Sequence, residues 1–243
     1  LKREVARLAP EISTTDKPVA RVWVDSGVFH LDQSYDYLVP DNLDAQVVVG
    51  VRVQVPFNGR ECEALVLERI EMISGRRLKS ITKVISLVSV ASKRSLDLIS
   101  LVCARWACHP YDVIRSAIPP RVASIEKMKW EAPFVDRPTA SSVREYVQLP
   151  AYRDPFQVLA EQVSKVRGSG SILVIVPDNR SVLRLVKHLP EALVLDSDLP
   201  RSQRYQNFLR ARTTSAQVII GTRSAIFVDS PDLSSIVIFN ESS

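Results

Sequence analysis

Gly221-Thr222-Arg223-Ser224-Ala225-Ile226-Phe227 lies between two short apolar runs, Val218-Ile219-Ile220 and Ile236-Val237-Ile238. Unbroken β-branched runs bounded by turn residues read as strands buried on both faces, the habit of a parallel sheet. Working back from this stretch, strands and helices alternate. Pro200–Arg212 reads as a helix with proline near its start, Ala192–Leu195 as a strand and Ser181–Leu189 as a helix. Ile172–Val176 is a continuous apolar strand, and a helical stretch runs from Pro155 to Arg167. This rhythm predicts an α/β half over 151–243, with a parallel sheet covered by helices.

Residues 19–90 carry the other period. Val19–Asp25 alternates weakly, and Tyr35–Val39 is a short strand closed by Pro40. Val51, Val53 and Val55 point inward, with Arg52 and Gln54 outward. Asn58-Gly59 supplies the positive φ of a tight hairpin, Glu63–Ile70 returns, and Ile81–Val88 follows. Five short strands in this span predict a small β-barrel-like domain or curled sheet. Ser92 reads as an N-cap for a helix over 93–107, and Pro110 separates it from a shorter helix near Asp112–Ile118. The expected plan is a loose arm over 1–18, the β domain over 19–90, a helical segment over 91–120, a linker over 121–150 and the α/β lobe over 151–243. The linker rests on Pro133, Pro138 and Pro150 in a stretch of little pattern.

Composition bounds the partners. A net charge of +5 is mildly basic, and both halves share it: residues 1–120 hold 16 basic and 14 acidic side chains, residues 121–243 hold 16 and 13. Arg76, Arg77, Lys79, Lys83, Lys93 and Arg94 form an acid-free run, which suits phosphates or a solvated face. Cys62, Cys103 and Cys108 form no CxxC pair, which argues against a disulfide framework and against structural zinc. His30, His109 and His188 are scattered, so no clustered catalytic set supports an unrelated α/β enzyme. No apolar run approaches the ~18 residues of a membrane helix, no leader is visible, and a cytoplasmic, nucleoid-associated location is the expectation. The start at Leu1 and the end beside a strand suggest a chain incomplete at one or both ends.

Six motifs in order carry a resemblance. They are Tyr35-Asp36-Tyr37-Leu38-Val39-Pro40; Gly50-Val51-Arg52-Val53-Gln54-Val55-Pro56-Phe57; Leu78-Lys79; Trp106 with His109-Pro110, Asp112-Val113-Ile114 and Ala117-Ile118-Pro119; Leu173-Val174-Ile175-Val176-Pro177-Asp178; and Gly221–Phe227. Together they resemble the primosomal protein N′ (PriA) family, the replication-restart helicases of bacteria. The resemblance implies an N-terminal DNA-binding domain followed by a RecA-like helicase lobe, here degenerate and truncated. It also implies a strand-end site. Tyr35 offers a face for the terminal base, worth about 1–3 kcal/mol, and the Asp36 carboxylate accepts from a free 3′-hydroxyl and repels a phosphate. Lys79 neutralises the backbone. Asn58 stands where the family has glycine, with Gly59 following. Thr222, Arg223 and Ser224 lie along the family's single-strand track, where amide, hydroxyl and guanidinium suit phosphate contacts.

The resemblance also places an ATP site, and the residues there do not suit one. Gly168-Ser169-Gly170 is not a phosphate loop: it follows a helix, precedes a strand and has no Lys-Ser/Thr after it. Family spacing puts the loop near Ala151-Tyr152-Arg153-Asp154-Pro155, which has no glycine and no lysine. The family's Asp-Glu-x-His box aligns with Phe239-Asn240-Glu241-Ser242, so Phe239 replaces the Mg²⁺-bearing Asp and Glu241 has no metal to serve. The expectation is a restart protein that recognises forked and single-stranded DNA and 3′ strand ends without helicase or ATPase activity. No ATP, Mg²⁺ or zinc cofactor is expected; single-stranded-DNA-binding protein and other restart-primosome proteins are the implied partners. The competing reading is an ATP-dependent 3′-to-5′ DNA helicase of the same primosome.

Overall fold

The computed structural model describes residues 15–28, 31, 33–72, 77–130, 143–150, 152–166, 168 and 170–240. The chain divides into two compact units, Leu1–Ile114 and Arg115–Ser243. Of the expected arm, residues 1–14 lie outside the described residues, as do Arg76 of the basic run and residues 131–142 of the expected linker.

The first unit is built on five antiparallel strands: β1 (Val19–Val24), β2 (Ser34–Leu38), β3 (Arg52–Phe57), β4 (Arg60–Ile70) and β5 (Lys83–Ser86), in the order β2-β1-β4-β3-β5. Alternation sorts their faces. Ala20, Val22 and Val24 join Val53, Val55, Phe57, Ala64 and Val66 in one core, while Arg21 and Trp23 face away. The hairpin between β3 and β4 turns at Asn58 and Gly59, with φ of 46° and 77°, the pair of positive values that a two-residue type I′ turn demands. Arg52 lies on the outer face as expected but is buried, with its guanidinium 3.5 Å from Glu63.

The sheet curls without closing into a barrel. Among the described residues β5, with four residues, pairs only with β3. The segment ahead of it reaches β2 at a single bridge, Leu38 to Ser80, where the Leu38 N–H donates to the Lys79 carbonyl and the Ile81 N–H to the Leu38 carbonyl, each at 2.9 Å. Gly50 ties the sheet to the chain before the first helix: the Val90 N–H donates to its carbonyl, and at φ 79° a Cβ there would lie 1.8 Å from the Ala91 carbonyl oxygen. Helix α1 (Lys93–Trp106) begins at Ser92, whose hydroxyl accepts from the Ser95 N–H, and α2 (Pro110–Ala117) follows. His109 is buried, and its Nδ1 accepts from the Tyr111 N–H, a structural role.

The second unit opens with a short helix, α3 (Ala123–Glu126), inside the span expected to be linker. One turn is too short to show periodicity, and it is held from outside: Glu126 binds Arg121 and accepts from the Tyr205 hydroxyl. Then come α4 (Pro155–Val166), β6 (Ser171–Ile175), α5 (Asn179–Val186), β7 (Leu193–Leu195), α6 (Arg201–Thr213), β8 (Val218–Gly221) and β9 (Leu233–Ile238). The four strands are parallel, in the order β7-β8-β6-β9. Phe156, Leu159 and Val163 of α4 and Val182 and Leu185 of α5 pack with Ile172, Val174, Val218 and Ile220. Tyr205, Phe208 and Leu209 of α6 are buried outside that cluster, and α6 packs beside β7. β9 departs from the expectation of a strand buried on both faces. It is an edge strand; Val237 packs on the core, while Ile236 and Ile238 are 48% and 52% exposed.

Candidate DNA-binding sites

In the first unit, a cleft of about 260 Å³ opens where β2 and residues 77–79 diverge; Tyr35, Asp36, Asn58, Arg77 and Lys79 line it. Four of the five expected strand-end residues therefore meet here. Gly59 sits one step further along the turn, with open space where a Cβ would be. The Tyr35 ring packs edge-on against Phe57 at 4.9 Å, and its hydroxyl donates to the Leu31 carbonyl. Tyr37 also lines the cleft: it is buried, it donates to the Pro56 carbonyl, and burial pushes its phenol up to about 12. Lys79 is exposed, its main chain fixed to β2 through Leu38.

Strand alternation separates Tyr35 from Asp36. Tyr35 and Tyr37 share the core face, so the Asp36 side chain points to the other. There Arg21 clasps its carboxylate, with Nε at 2.9 Å and Nη2 at 3.4 Å, and reaches Glu68 through Nη1 at 2.9 Å. Arg21 stands opposite Asp36 on β2 and Glu68 on β4, next to an irregularity that skips Leu67. The hydrogen bond to Asp36 is the chief cause that raises the Arg21 pKa above its ordinary value. The Asp36 side chain is only 9% exposed. Its main chain faces elsewhere. Leu38 directs its N–H and C=O away from β1, and alternation along an antiparallel edge strand turns those of Asp36 the same way, toward the cleft. Arg21 is the site residue that sequence reasoning missed. Its signal was available: an arginine on the outer face of Val-Ala-Arg-Val-Trp-Val, opposite a strand whose acid is also on an outer face.

In the second unit, a cleft of about 610 Å³ lies at the carboxyl ends of β6 and β8, lined by Asp178, Asn179, Arg180, Asp198, Thr222 and Arg223 among others. Ligands of open parallel sheets bind at these strand ends. Of the three residues expected along a single-strand track, Thr222 and Arg223 line this cleft and Ser224 does not; the expected turn is a 3-10 helix over Arg223–Phe227. Gly221 permits this packing, since a Cβ there would lie 2.5 Å from that of Ala225. Asp178 caps α5 by accepting from the Ser181 N–H at 2.8 Å, and that main-chain bond leads the causes that hold its carboxyl below the usual range. Arg180 and Arg223 line the cleft together with Asp178 and Asp198, so its formal charges balance.

Near the position where the resemblance puts ATP, Asp154 accepts from the Phe156 N–H at the start of α4 and lies 3.4 Å from Arg184 and 3.8 Å from His188. The Phe156 and Phe239 rings meet at 5.3 Å, and the Arg184 guanidinium lies 4.2 Å from the Phe156 ring. A carboxylate and two aromatic rings thus pack together at the start of α4 and the end of β9. Ala151, Ser169, Glu241 and Ser242 lie outside the described residues. Among the described residues no three His, Cys, Asp or Glu side chains cluster as a metal site, and no helix is long and apolar enough to cross a membrane.

Residues 21–119, which cover most of the first unit and run five residues beyond it, match the family model described as a 3′DNA-binding domain (3′BD) of PriA. The wider chain is similar to the probable replication restart protein PriA of Mycobacterium tuberculosis (strain CDC 1551 / Oshkosh), at 30% identity over 86% of this chain and 37% of the relative. The Mycobacterium leprae (strain TN) relative of the same description is 28% identical over 87% of this chain and 38% of its own length. The replication restart protein PriA of Bacillus subtilis (strain 168) is 26% identical over 41% of this chain and 13% of its own length. The chain is thus PriA-like, a relative of the replication restart proteins, and it spans well under half the length of these curated relatives.

Proposed function

We propose that this chain recognises a 3′ strand end at forked DNA in replication restart, and that its second unit is a RecA-like lobe serving as DNA surface without turning over ATP. The observation that carries the reading is the strand-edge cleft, which gathers Tyr35, Asp36, Asn58 and Lys79 inside the span matched to a 3′DNA-binding domain. In this reading Tyr35 and the residues beside it pack the terminal nucleoside, and Lys79 with Arg77 neutralises the adjoining phosphate. The Asp36 edge accepts from the 3′-hydroxyl, principally through its main-chain carbonyl, because Arg21 already holds the carboxylate. A carbonyl oxygen accepts from a hydroxyl and repels a phosphate, so the edge separates an end from a continuing strand. Thr222 and Arg223 contact the backbone of single-stranded DNA in the second cleft. The aromatic pair Phe156–Phe239 and the Asp154 carboxylate support the absence of ATP turnover.

The test is fluorescence anisotropy with a fork whose leading strand ends at the junction, beside a linear duplex of equal length. The chain binds the fork more tightly, and Lys79→Ala and Tyr35→Ala each erode that advantage. Equal affinity for both DNAs refutes the reading. DNA-stimulated ATP hydrolysis by the purified chain refutes the claim about the second unit.

A further inference from the structure

We infer a second DNA-phosphate surface on the second unit, outside both clefts, formed by Arg121, Lys127, Arg201 and Arg204. Three contacts join the two segments that carry them. Arg201 Nη2 donates to the Arg121 carbonyl at 2.9 Å, Arg121 Nε lies 2.6 Å from Glu126, and the buried Tyr205, next to Arg204, donates to that same Glu126. Arg201 and Arg204 are three residues apart on α6 and therefore neighbours on one face. Lys127 follows Glu126 at the end of α3, and α3 packs on α6.

The charge balance is one-sided. Glu126 is the one acid of the 115–130 segment; its side chain is 7% exposed and already shared between Arg121 and Tyr205. Among the described residues, Arg201, Arg204 and Lys127 form no ion pair, and Arg201 and Lys127 are exposed. Cations held together without a counter-charge repel one another and gain from a polyanion that spans them. The surrounding chemistry favours a phosphate backbone over a protein partner. Exposed neighbours are Ser124, Ser202 and Gln203, and Met128 is the single exposed large hydrophobic on the two segments, whereas protein interfaces are anchored by buried aromatic and apolar side chains. The surface also adjoins the cleft that holds Arg180 and Arg223, because Asp198 on the cleft rim stands three residues before Arg201. Backbone contacts on this surface need no base reading.

This inference rests on the reading that the chain binds DNA, and not on the strand-end cleft. The test compares the wild-type chain with K127Q/R201Q/R204Q and with K165Q/K187Q/R210Q, which removes equal charge from exposed positions elsewhere on the unit. Arg121 is kept because Glu126 needs it. Anisotropy is measured from 50 to 200 mM salt with a fork, a linear duplex and a single strand of unrelated sequences, and thermal melting checks each variant. The first variant lowers the slope of log affinity against log salt by about 2–3, at about 0.9 per lost duplex phosphate contact or about 0.7 for a single strand. The second changes it by less than about 1. Duplex and single-strand slopes show which form occupies the surface, and a drop with either supports it. Equal slopes for the two variants overturn the inference and leave the surface to an acidic protein. A wild-type chain that binds none of the DNAs overturns this inference and the proposed function together. A slope change without any preference for strand ends leaves this surface standing alone.

Discussion

Replacing Arg21 with leucine keeps an apolar stem on β1 and removes three hydrogen bonds, two to Asp36 and one to Glu68. The Asp36 side chain is 9% exposed, so its carboxylate is left in a poorly hydrated place without its cation. Removing one member of a fully buried pair costs about 3–5 kcal/mol. Here water reaches the vacated side, since Arg21 and Glu68 are 34% and 42% exposed, and the Glu68 share is at most about 0.5 kcal/mol. The net expectation is about 2 kcal/mol, a roughly thirty-fold rise in the opening of β1 and β2. Hydrogen exchange of amides in 19–24 and 34–38 measures it directly. Arg21→Leu/Asp36→Leu removes both partners and recovers at least half of the loss, because no stranded charge remains. Wild-type protection in Arg21→Leu, or a double variant no better than the single, refutes the view that this clasp fixes the β2 edge.

Three further outcomes follow from other contacts. Gly50→Ala forces a Cβ against the Ala91 carbonyl at φ 79° and destabilises the first unit by about 2–4 kcal/mol in urea unfolding; a loss under 1 kcal/mol contradicts the tight approach. Asp232 is pushed up by burial, but hydrogen bonds from the Ser171 hydroxyl and the Ala216 N–H outweigh it and hold its carboxyl below the usual value near 3.8. Its stabilisation is therefore complete well above pH 3.8 and is lost as pH falls through the lower folded value, so the deficit of Asp232→Asn is full at pH 7 and shrinks below pH 4. A deficit independent of pH contradicts the assignment. Millimolar MgATP leaves the melting temperature within about 1 °C, whereas binding at a hundredth of that concentration adds about 2.7 kcal/mol; a shift of several degrees contradicts the reading of Asp154 and Phe239.

The strands were legible because their periods are clean. Val51, Val53 and Val55 alternate, and Val218–Ile220 is unbroken. The cap at Ser92 and the Asn58-Gly59 turn are local chemistry that acts where it is written. Sequence reading failed where the deciding contact is distant. Helix α3 is held by Tyr205, far along the chain, and the open sheet depends on how briefly residues 78–82 meet β2. The site shows both kinds. Motifs brought Tyr35, Asp36, Asn58 and Lys79 to one cleft, but adjacency in a motif hid the alternation that turns Asp36 toward Arg21. That pairing of outer-face charges across β1, β2 and β4 becomes visible only once the register is known.

The most direct test of the account is the affinity of the chain for two forks that differ only at the leading-strand terminus, one ending in a 3′-hydroxyl and the other in a 3′-phosphate. One hydrogen bond to the Asp36 edge, lost and replaced by repulsion, is worth about 1.5 kcal/mol or more, so the 3′-hydroxyl fork binds at least about ten-fold more tightly. Equal affinity for the two forks contradicts the claim that this cleft reads a strand end.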